Sequence, residues 1–524
     1  MGLADTLPGT PDTSREETAV TLIISDLHLS SEEALDDFYA DREFAEFLDY
    51  HAERYASIHL VINGDWIDFL QTDPRPPRTG AQATAQLDLE EMYPLNLTPD
   101  QAVYAIDRVA QRHGEFFDAL SKFLRPGRPA RRLTVLRGNH DVELAFPGVQ
   151  ERLRELLGGH SAEVLAFPPV GWFDPEQGVY VEHGSQYDHW NALARFDDPF
   201  LDRERTKLEV PWGSVQVKTF WNRVEPEFPH IDKIRPMFDA VLSVLVQRPT
   251  FLLLKFDYFV DLFLGAWRQN FAKLFSRRPK RDADRSVSPD SPEEHGRRYW
   301  RGDHMGRISL GALGVLAAYF VIRYIVLWDT GLRGVAGRSA ARPLAEFLVL
   351  IGGSLALIAI GRGLRYLMWR KELPFVVRAV VYRVLVMVSA VAFFYALFRL
   401  FLLPIVIAGA VYVIWDAIRT VIGRPQAERD PLLRRPLAAE LETAIRLLHL
   451  PDVHTVVFGH THLPMSVDVG DGKRFLNCGT WMKLVDMRNV RSEPNELNTY
   501  VRIVAGKAEL MSWRGTTPAR KYRD

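Results

Sequence analysis

Four apolar runs near the middle of the chain constrain its fold more than any other feature. They occupy residues 308–328, 344–361, 375–398 and 400–418 of a 524-residue sequence. Each approaches or exceeds the ~17–25 apolar residues that a helix needs to cross a hydrocarbon core. Trp300, Trp328, Trp369 and Trp415 sit near their ends, where amphipathic rings favour the membrane interface. The alternative is a buried helical subdomain of a soluble protein, and the scarcity of charge in four successive runs argues against it. Arg323 lies inside the first run and can snorkel to the interface. Arg399 and Pro404 leave almost no polar loop between the last two, which read as a tight hairpin or one kinked helix.

The flanks differ in kind. Residues 20–184 alternate short β-rich runs (TLIISDLH, HLVINGD, RLTVLRGNHD, VYVEHG) with helical stretches at 41–55 and 101–124, where apolar residues recur at three- and four-residue spacing. Pro74, Pro76 and Pro77 mark a loop. The same style resumes after residue 436 with a helix near 437–448, then HTVVFGHTH, RFLNCGTW and two closing strands around Tyr500 and Leu510. One α/β domain is therefore expected in two pieces, residues 20–184 and 426–524. Between them lie an amphipathic and linker insert (185–300) and a transmembrane helical insert (301–425, about four spans). Residues 1–19 form a disordered tail.

Within the first insert, residues 237–267 are dense in Phe and Leu yet carry Lys255, Asp257 and Asp261. That pattern suits a helix lying on a membrane or in a groove rather than a span. Arg277, Arg278, Lys280 and Arg281 follow and meet either anionic headgroups or solvent; residues 282–298 read as disordered.

Composition excludes little. Lys and Arg total 64 against 66 Asp and Glu, a net charge of −2, so nothing draws the whole chain to nucleic acid, and none is expected as a partner. Cys478 is the only cysteine, which excludes an intrachain disulfide and fits a reducing compartment. The N-terminal stretch has no basic region followed by an apolar one, so no cleavable signal peptide is expected. Arginines flank the first run (Arg297, Arg298, Arg301, Arg307) and follow the last (Arg419, Arg424, Arg429, Arg434, Arg435). The positive-inside bias then describes an inner-membrane protein whose α/β domain faces the cytoplasm.

Five clusters carry chemistry: Asp26-Leu-His28, Gly64-Asp65-Trp-Ile-Asp68, Gly138-Asn139-His140-Asp141, His183-Gly184 and Gly459-His460-Thr-His462. Each falls at or just after the C-terminal end of an expected strand, where α/β folds bind ligands. Residues i and i+2 of a strand point the same way, so Asp26 and His28 can aim at one metal, and His460 and His462 at a paired site. Oxygen and imidazole donors without thiolates suit manganese first, with iron or zinc as alternatives.

The order DLH, GDWID, GNHD, HG, GHTH resembles the calcineurin-like metallophosphoesterase superfamily, and NCGTW is similar to that family's Asn-x-Gly-Ser/Thr turn. The resemblance covers residues ~20–184 and ~436–515 and leaves the insert unexplained. It implies a four-layer αββα sandwich with two divalent metal ions. One would be held by Asp26, His28, Asp65 and His462, the other by Asp65, Asn139, His183 and His460, with Asp65 shared. Asp68 and Asp141 would orient imidazoles. His140 would be the non-ligand imidazole near the leaving oxygen, a general acid or charge stabiliser. Two carboxylates neutralise two divalent ions incompletely, so the centre keeps positive charge for a phosphate. Arg137 is a further phosphate contact or a structural ion pair, and His189 a pocket-lining or surface residue.

The DLHL and GDWID wording also resembles the UDP-2,3-diacylglucosamine hydrolases, which commonly carry Arg where this chain has His140. The expected activity is membrane-anchored hydrolysis of a phosphate ester or diphosphate, with a lipid substrate as one reading and a soluble phosphoester or nucleotide as the other. A non-enzymatic membrane scaffold is a third reading, disfavoured because every ligand and His140 are present.

Overall fold

Apolar residues at every second position let the first strands face two ways. In β1 (Glu16–Ile24), Val20, Leu22 and Ile24 point to one core and Ile23 to another. β2 (Tyr55–Asn63) and β3 (Ala130–Leu136) repeat the division, with Leu60 and Leu133 on one side and Val61 and Leu136 on the other. This is the signature of strands covered on both faces. The computed structural model describes residues 16–31, 35–75, 93–127, 130–228, 248, 250–258, 260–262, 264–265, 292, 341–370, 377, 379–395, 431–482 and 498–513.

On the outer side of these strands lie α1 (Asp41–Arg54), α2 (Pro99–Arg112), α3 (Gly114–Leu124) and α4 (Pro147–Leu156). Their Phe44, Ile106, Phe116 and Val149 are fully buried in the same core as Leu22 and Leu60. α2 starts where Thr98 and Gln101 form a reciprocal capping box with Pro99 in the first turn. One helix was expected over 101–124; the structure breaks it at His113. The His113 imidazole bonds the Asp41 carboxylate and the Ser30 carbonyl, and Gly114 starts the next helix.

The remaining strands are β4 (Leu165–Ala166), β5 (Gly171–Asp174), β6 (Val179–Glu182), β7 (Thr455–Phe458), β8 (Met465–Gly470), β9 (Lys473–Asn477), β10 (Thr499–Val504) and β11 (Lys507–Ser512). They complete a six-stranded sheet, β11-β10-β1-β2-β3-β4, and a five-stranded one, β5-β6-β7-β9-β8. Both sheets mix parallel and antiparallel pairs, and each includes strands from both sides of the insert. Ile23, Val61, Val181, Val457 and Cys478 share a core between the sheets. A helix at Pro431–Leu448, named α10 below, covers the outer face of the second sheet through Ala444 and Leu447 packed with Val456 and Phe458.

The chain does not leave this domain at residue 184. Leu193, Phe196, Phe200 and Leu208 belong to the main core. α5 (Trp212–Gln216) then runs through a π-helical turn, Val217–Trp221, into α6 (Asn222–Val224). A short α7 (Phe251–Leu254) follows. Two apolar helices come next, α8 (Ala341–Arg370) and α9 (Ala379–Tyr395). They coincide with the second and third apolar runs; the first and fourth lie outside the described residues, as do the basic cluster 277–281 and the linker 282–298.

Among the described residues one helix, Val349–Met368, is long and apolar enough to cross a membrane, and 17% of its apolar window is buried. The segment expected to be amphipathic packs its Phe256 and Val260 against Ile358, Tyr382 and Val386 of α8 and α9. Phe256 is 2% exposed, so it meets protein rather than acyl chains. Asp257 accepts from the Tyr382 hydroxyl, and Asp261 pairs with both Arg223 and Arg362.

Candidate metal centre

Five short loops at strand ends converge. β1 delivers Asp26 and His28, β2 delivers Asp65 and Asp68, and β3 delivers Asn139 and His140. β6 delivers His183, and β7 delivers His460 and His462. The i, i+2 argument gives way to a different geometry here. Asp26, His28, Asp65, His460 and His462 all lie past their strands with left-handed backbone, φ from 50° to 68°. Non-glycine residues seldom adopt it, and concentrated strain of this kind is a mark of functional loops. Two glycines permit the crowding. A Cβ at Gly64, itself at φ +79°, would overlap the His183 imidazole, and one at Gly138 would overlap the Asp65 carboxylate.

Three groups of donor atoms close up: Asp26 with His28 and His462, Asp65 with His183 and His460, and His28 with Asp65 and His140. His462 Nε2 is 3.2 Å from Asp26 Oδ1 and 3.3 Å from His28 Nε2. Asp65 Oδ2 stands between the groups, 3.6 Å from His28 Nε2 and 3.3 Å from His183 Nε2. Six of the seven expected donors, Asp26, His28, Asp65, His183, His460 and His462, fall in these groups, with His140 adjoining them.

Three of the imidazoles are tied down by a second contact. His28 Nδ1 meets Asp68 Oδ2 at 3.1 Å, and His183 Nδ1 donates to the Asn63 carbonyl at 2.9 Å. Such bonds fix the tautomer and leave the opposite nitrogen's lone pair free for a cation. His460 Nε2 meets Asp188 Oδ2 at 3.2 Å. Asp188 is a site residue the sequence did not reveal: it sits five positions after His183 in a stretch without periodicity or motif. Asp65 itself is steered by the His140 N–H, which donates to its Oδ1 at 2.8 Å.

Two expectations change. Asp141 does not orient an imidazole. Its oxygens accept from the Gly138 and Trp66 N–H groups at 2.6 and 2.9 Å, because the turn's own backbone donors reach it first. Arg137 is not directed at the cluster either. Its guanidinium bonds the Pro169 and Phe196 carbonyls and lies over the Phe196 ring, so its role is structural. His189 is a partly exposed neighbour of Asp188 and Trp190.

The electrostatics call for cations. Burial opposes charge on His183, but Asp65 and Asp26 outweigh it and lift the imidazole to about 10. Burial likewise opposes charge on His140, and Asp68 and Asp65 raise it to about 9. Asp141 is pushed up to about 7 by burial and by the charge of Asp65. Asp65, despite its burial, is held well below the carboxylate range by His183 and His140.

Asp26 Oδ1, Asn139 Oδ1 and His183 Nε2 are buried and make no hydrogen bond among the described residues. Such atoms are costly unless a proton or cation satisfies them. Lone pairs crowded in this way, with oxygen and imidazole donors, fit two divalent ions.

Residues 19–228 match the family model described as calcineurin-like phosphoesterase. Comparison with curated proteins and with solved structures gave no match. The family match stops before α10 and β7, yet the fold carries His460 and His462 into the same cluster. Residues 19–228 thus constitute a calcineurin-like phosphoesterase domain, and the chain carries a metal-dependent phosphoester hydrolase.

Proposed function

We propose that the protein is a membrane-anchored, dinuclear phosphoesterase. One metal would be held by Asp26, His28, Asp65 and His462, and the second by Asp65, Asn139, His183 and His460. The observation that carries this reading is Asp65 Oδ2 standing within 3.6 Å of an imidazole from each group. Manganese suits the donor set, with iron or zinc as alternatives. Bound divalent ions supply Lewis-acid polarisation of a phosphoryl oxygen and activation of water.

The chain's own residues do the rest. Asp68 anchors His140 through Nδ1 at 2.8 Å, which leaves Nε2 for the leaving oxygen. His140 is 19% exposed at its side chain, about as much as His462 at 21% and more than His28 or His183, so substrate can reach it. The Asp188 carboxylate holds His460 in place.

Anchoring rests on α8 and α9. Their outer faces leave Val349, Ile360, Tyr366, Leu367, Val380 and Val391 exposed, and exposed apolar patches mark protein or membrane interaction sites. His183 precedes the insert and His460 follows it, yet their rings lie 5.4 Å apart. A membrane-crossing insert must therefore cross an even number of times; four crossings, with the catalytic domain in the cytoplasm, is the reading we adopt. A phosphate ester presented at the membrane surface is then the natural substrate. The test is hydrolysis by the Mn²⁺-loaded full chain of a phospholipid in mixed micelles against its water-soluble headgroup analogue. Preference for the lipid supports presentation at the membrane, and equal cleavage makes a soluble phosphoester the substrate.

A further inference from the structure

A lysine buried beside the metal-bearing loops has no role in the chemistry described so far. Lys218 lies in the π-helical turn Val217–Trp221, a rare geometry frequent at functional sites. Its side chain is 1% exposed, and lysines are almost never so buried without a close partner. Its ammonium donates to the Pro94 carbonyl at 3.0 Å, and the carboxylate oxygen of Glu143 is 4.0 Å away. Burial holds Glu143 above the usual carboxylate range and Lys218 below the usual ammonium range.

The lysine lines a cavity of about 220 Å³ together with Arg223, Tyr93, Leu95, Asp261 and Leu264. Among the lining residues Lys218 and Arg223 are cationic and Asp261 is anionic, and Asp261 is paired with Arg223 and with Arg362 outside the lining. The helical stretch that carries Lys218 is clamped to the catalytic loops. Ser214 Oγ donates to the Asn139 carbonyl at 3.2 Å, Asn222 Nδ2 to the Leu70 carbonyl at 2.7 Å, and Gln71 Nε2 to Glu225 at 3.1 Å. The cavity's other wall, Asp261, Leu264 and Gly265, belongs to the segment that packs on the apolar helices.

We propose that this cavity is an anion subsite, separate from the metal donors, that receives a second negatively charged group of the phosphate-ester substrate. The proposal rests on the phosphoesterase reading and narrows it to substrates carrying two anionic groups, one at the metal centre and one at Lys218. The volume lies below the ~300 Å³ of pockets that enclose a whole small ligand, so it takes a headgroup fragment. The second group belongs to a lipid headgroup or to a soluble phosphoester, and its chemistry is the same in both.

The test is calorimetric binding of α,ω-alkanediol bisphosphates of three to six carbons, against the matching alkyl monophosphates, to the Mn²⁺-loaded full chain. A lipid arm compares dioleoyl phosphatidylglycerol phosphate with dioleoyl phosphatidylglycerol in detergent micelles. At least one two-phosphate probe should bind about tenfold tighter than its partner, the gain of one charge-assisted contact. Lys218→Met should erase that gain and Lys218→Arg restore part of it, with thermal unfolding showing both variants folded. A gain in the lipid arm alone assigns the subsite to a headgroup; a gain in the soluble arm extends it to soluble substrates. No gain in either arm, or a gain that survives in Lys218→Met, overturns the proposal. Hydrolysis of p-nitrophenyl phosphate by the same preparation is scored separately, so loss of the phosphoesterase reading is not mistaken for loss of the subsite.

Discussion

Asp68 holds four donors at once, and Asp68→Asn asks how much the metal centre depends on them. Its Oδ2 meets His28 Nδ1 at 3.1 Å and His140 Nδ1 at 2.8 Å, while Oδ1 accepts from the Leu70 and Gln71 N–H groups at 2.9 and 3.0 Å. An amide of the same shape must turn its NH₂ toward one of these pairs. Facing the imidazoles, it confronts two ring N–H groups; facing the turn, it confronts two backbone N–H groups. Either orientation releases His28 from its fixed tautomer or strains the loop that carries Asp65. Losing a carboxylate that orients a metal-bound histidine costs about 10–100-fold in metal affinity, or about 1.4–2.8 kcal/mol. Competition titration of Mn²⁺ against a chelator of known affinity reads this directly, with hydrolysis of p-nitrophenyl phosphate beside it. Asp68→Asn that binds Mn²⁺ and turns over like wild type would show that the carboxylate is only a turn cap.

Three further outcomes follow from the geometry. Metal uptake should release protons and weaken steadily as pH falls below about 10, because the ligand His183 holds a proton well above neutrality before metal arrives; calorimetry in buffers of different ionisation enthalpy measures the release, and pH-independent uptake without proton release contradicts it. Burial lowers the His113 pKa but Asp36 and Asp41 outweigh it, raising it to about 9 from 6.5, so its stabilisation, at most about 3 kcal/mol, is complete below pH 6.5 and lost as pH rises through 9. Denaturant unfolding of wild type and His113→Gln should then differ most at pH 6 and converge above pH 9, and a gap that widens with pH refutes the sign. Asp261→Ala leaves the buried Arg223 and the partly exposed Arg362 without their shared carboxylate, a loss of at most about 3–5 kcal/mol, read as a lower unfolding temperature in detergent; an unchanged temperature shows the pairs contribute nothing.

Much of the centre was legible because its donors follow apolar strands within a few residues. A strand end is fixed by burial, so Asp26, Asp65, Asn139, His183 and His460 could be placed at one edge before any coordinates. What the sequence conceals is what a side chain finds there. Asp141 and Arg137 stand beside Asn139 in sequence, yet one is captured by backbone N–H groups and the other by backbone carbonyls. Asp188 reaches His460 across 272 residues of chain, a pairing no spacing encodes. The left-handed turns at five candidate donors, and the burial of Lys218, also depend on tertiary packing rather than local pattern. The apolar runs announced helices at α8 and α9, and of the two surfaces open to the amphipathic segment, membrane or protein groove, Phe256 takes the protein one, packed against those helices.

The central claim is a dinuclear centre shared through Asp65, and metal content per chain tests it most directly. Wild type, Asp65→Asn and His140→Ala are equilibrated with Mn²⁺, freed of excess and assayed by elemental analysis. The account predicts two ions in wild type and in His140→Ala, whose rate should nonetheless fall by a factor of ~10²–10⁴, and a marked loss of metal in Asp65→Asn. Equal metal loss in both variants would make His140 a ligand, as its place near His28 and Asp65 permits. Two tightly held ions in Asp65→Asn would contradict the shared-carboxylate centre itself.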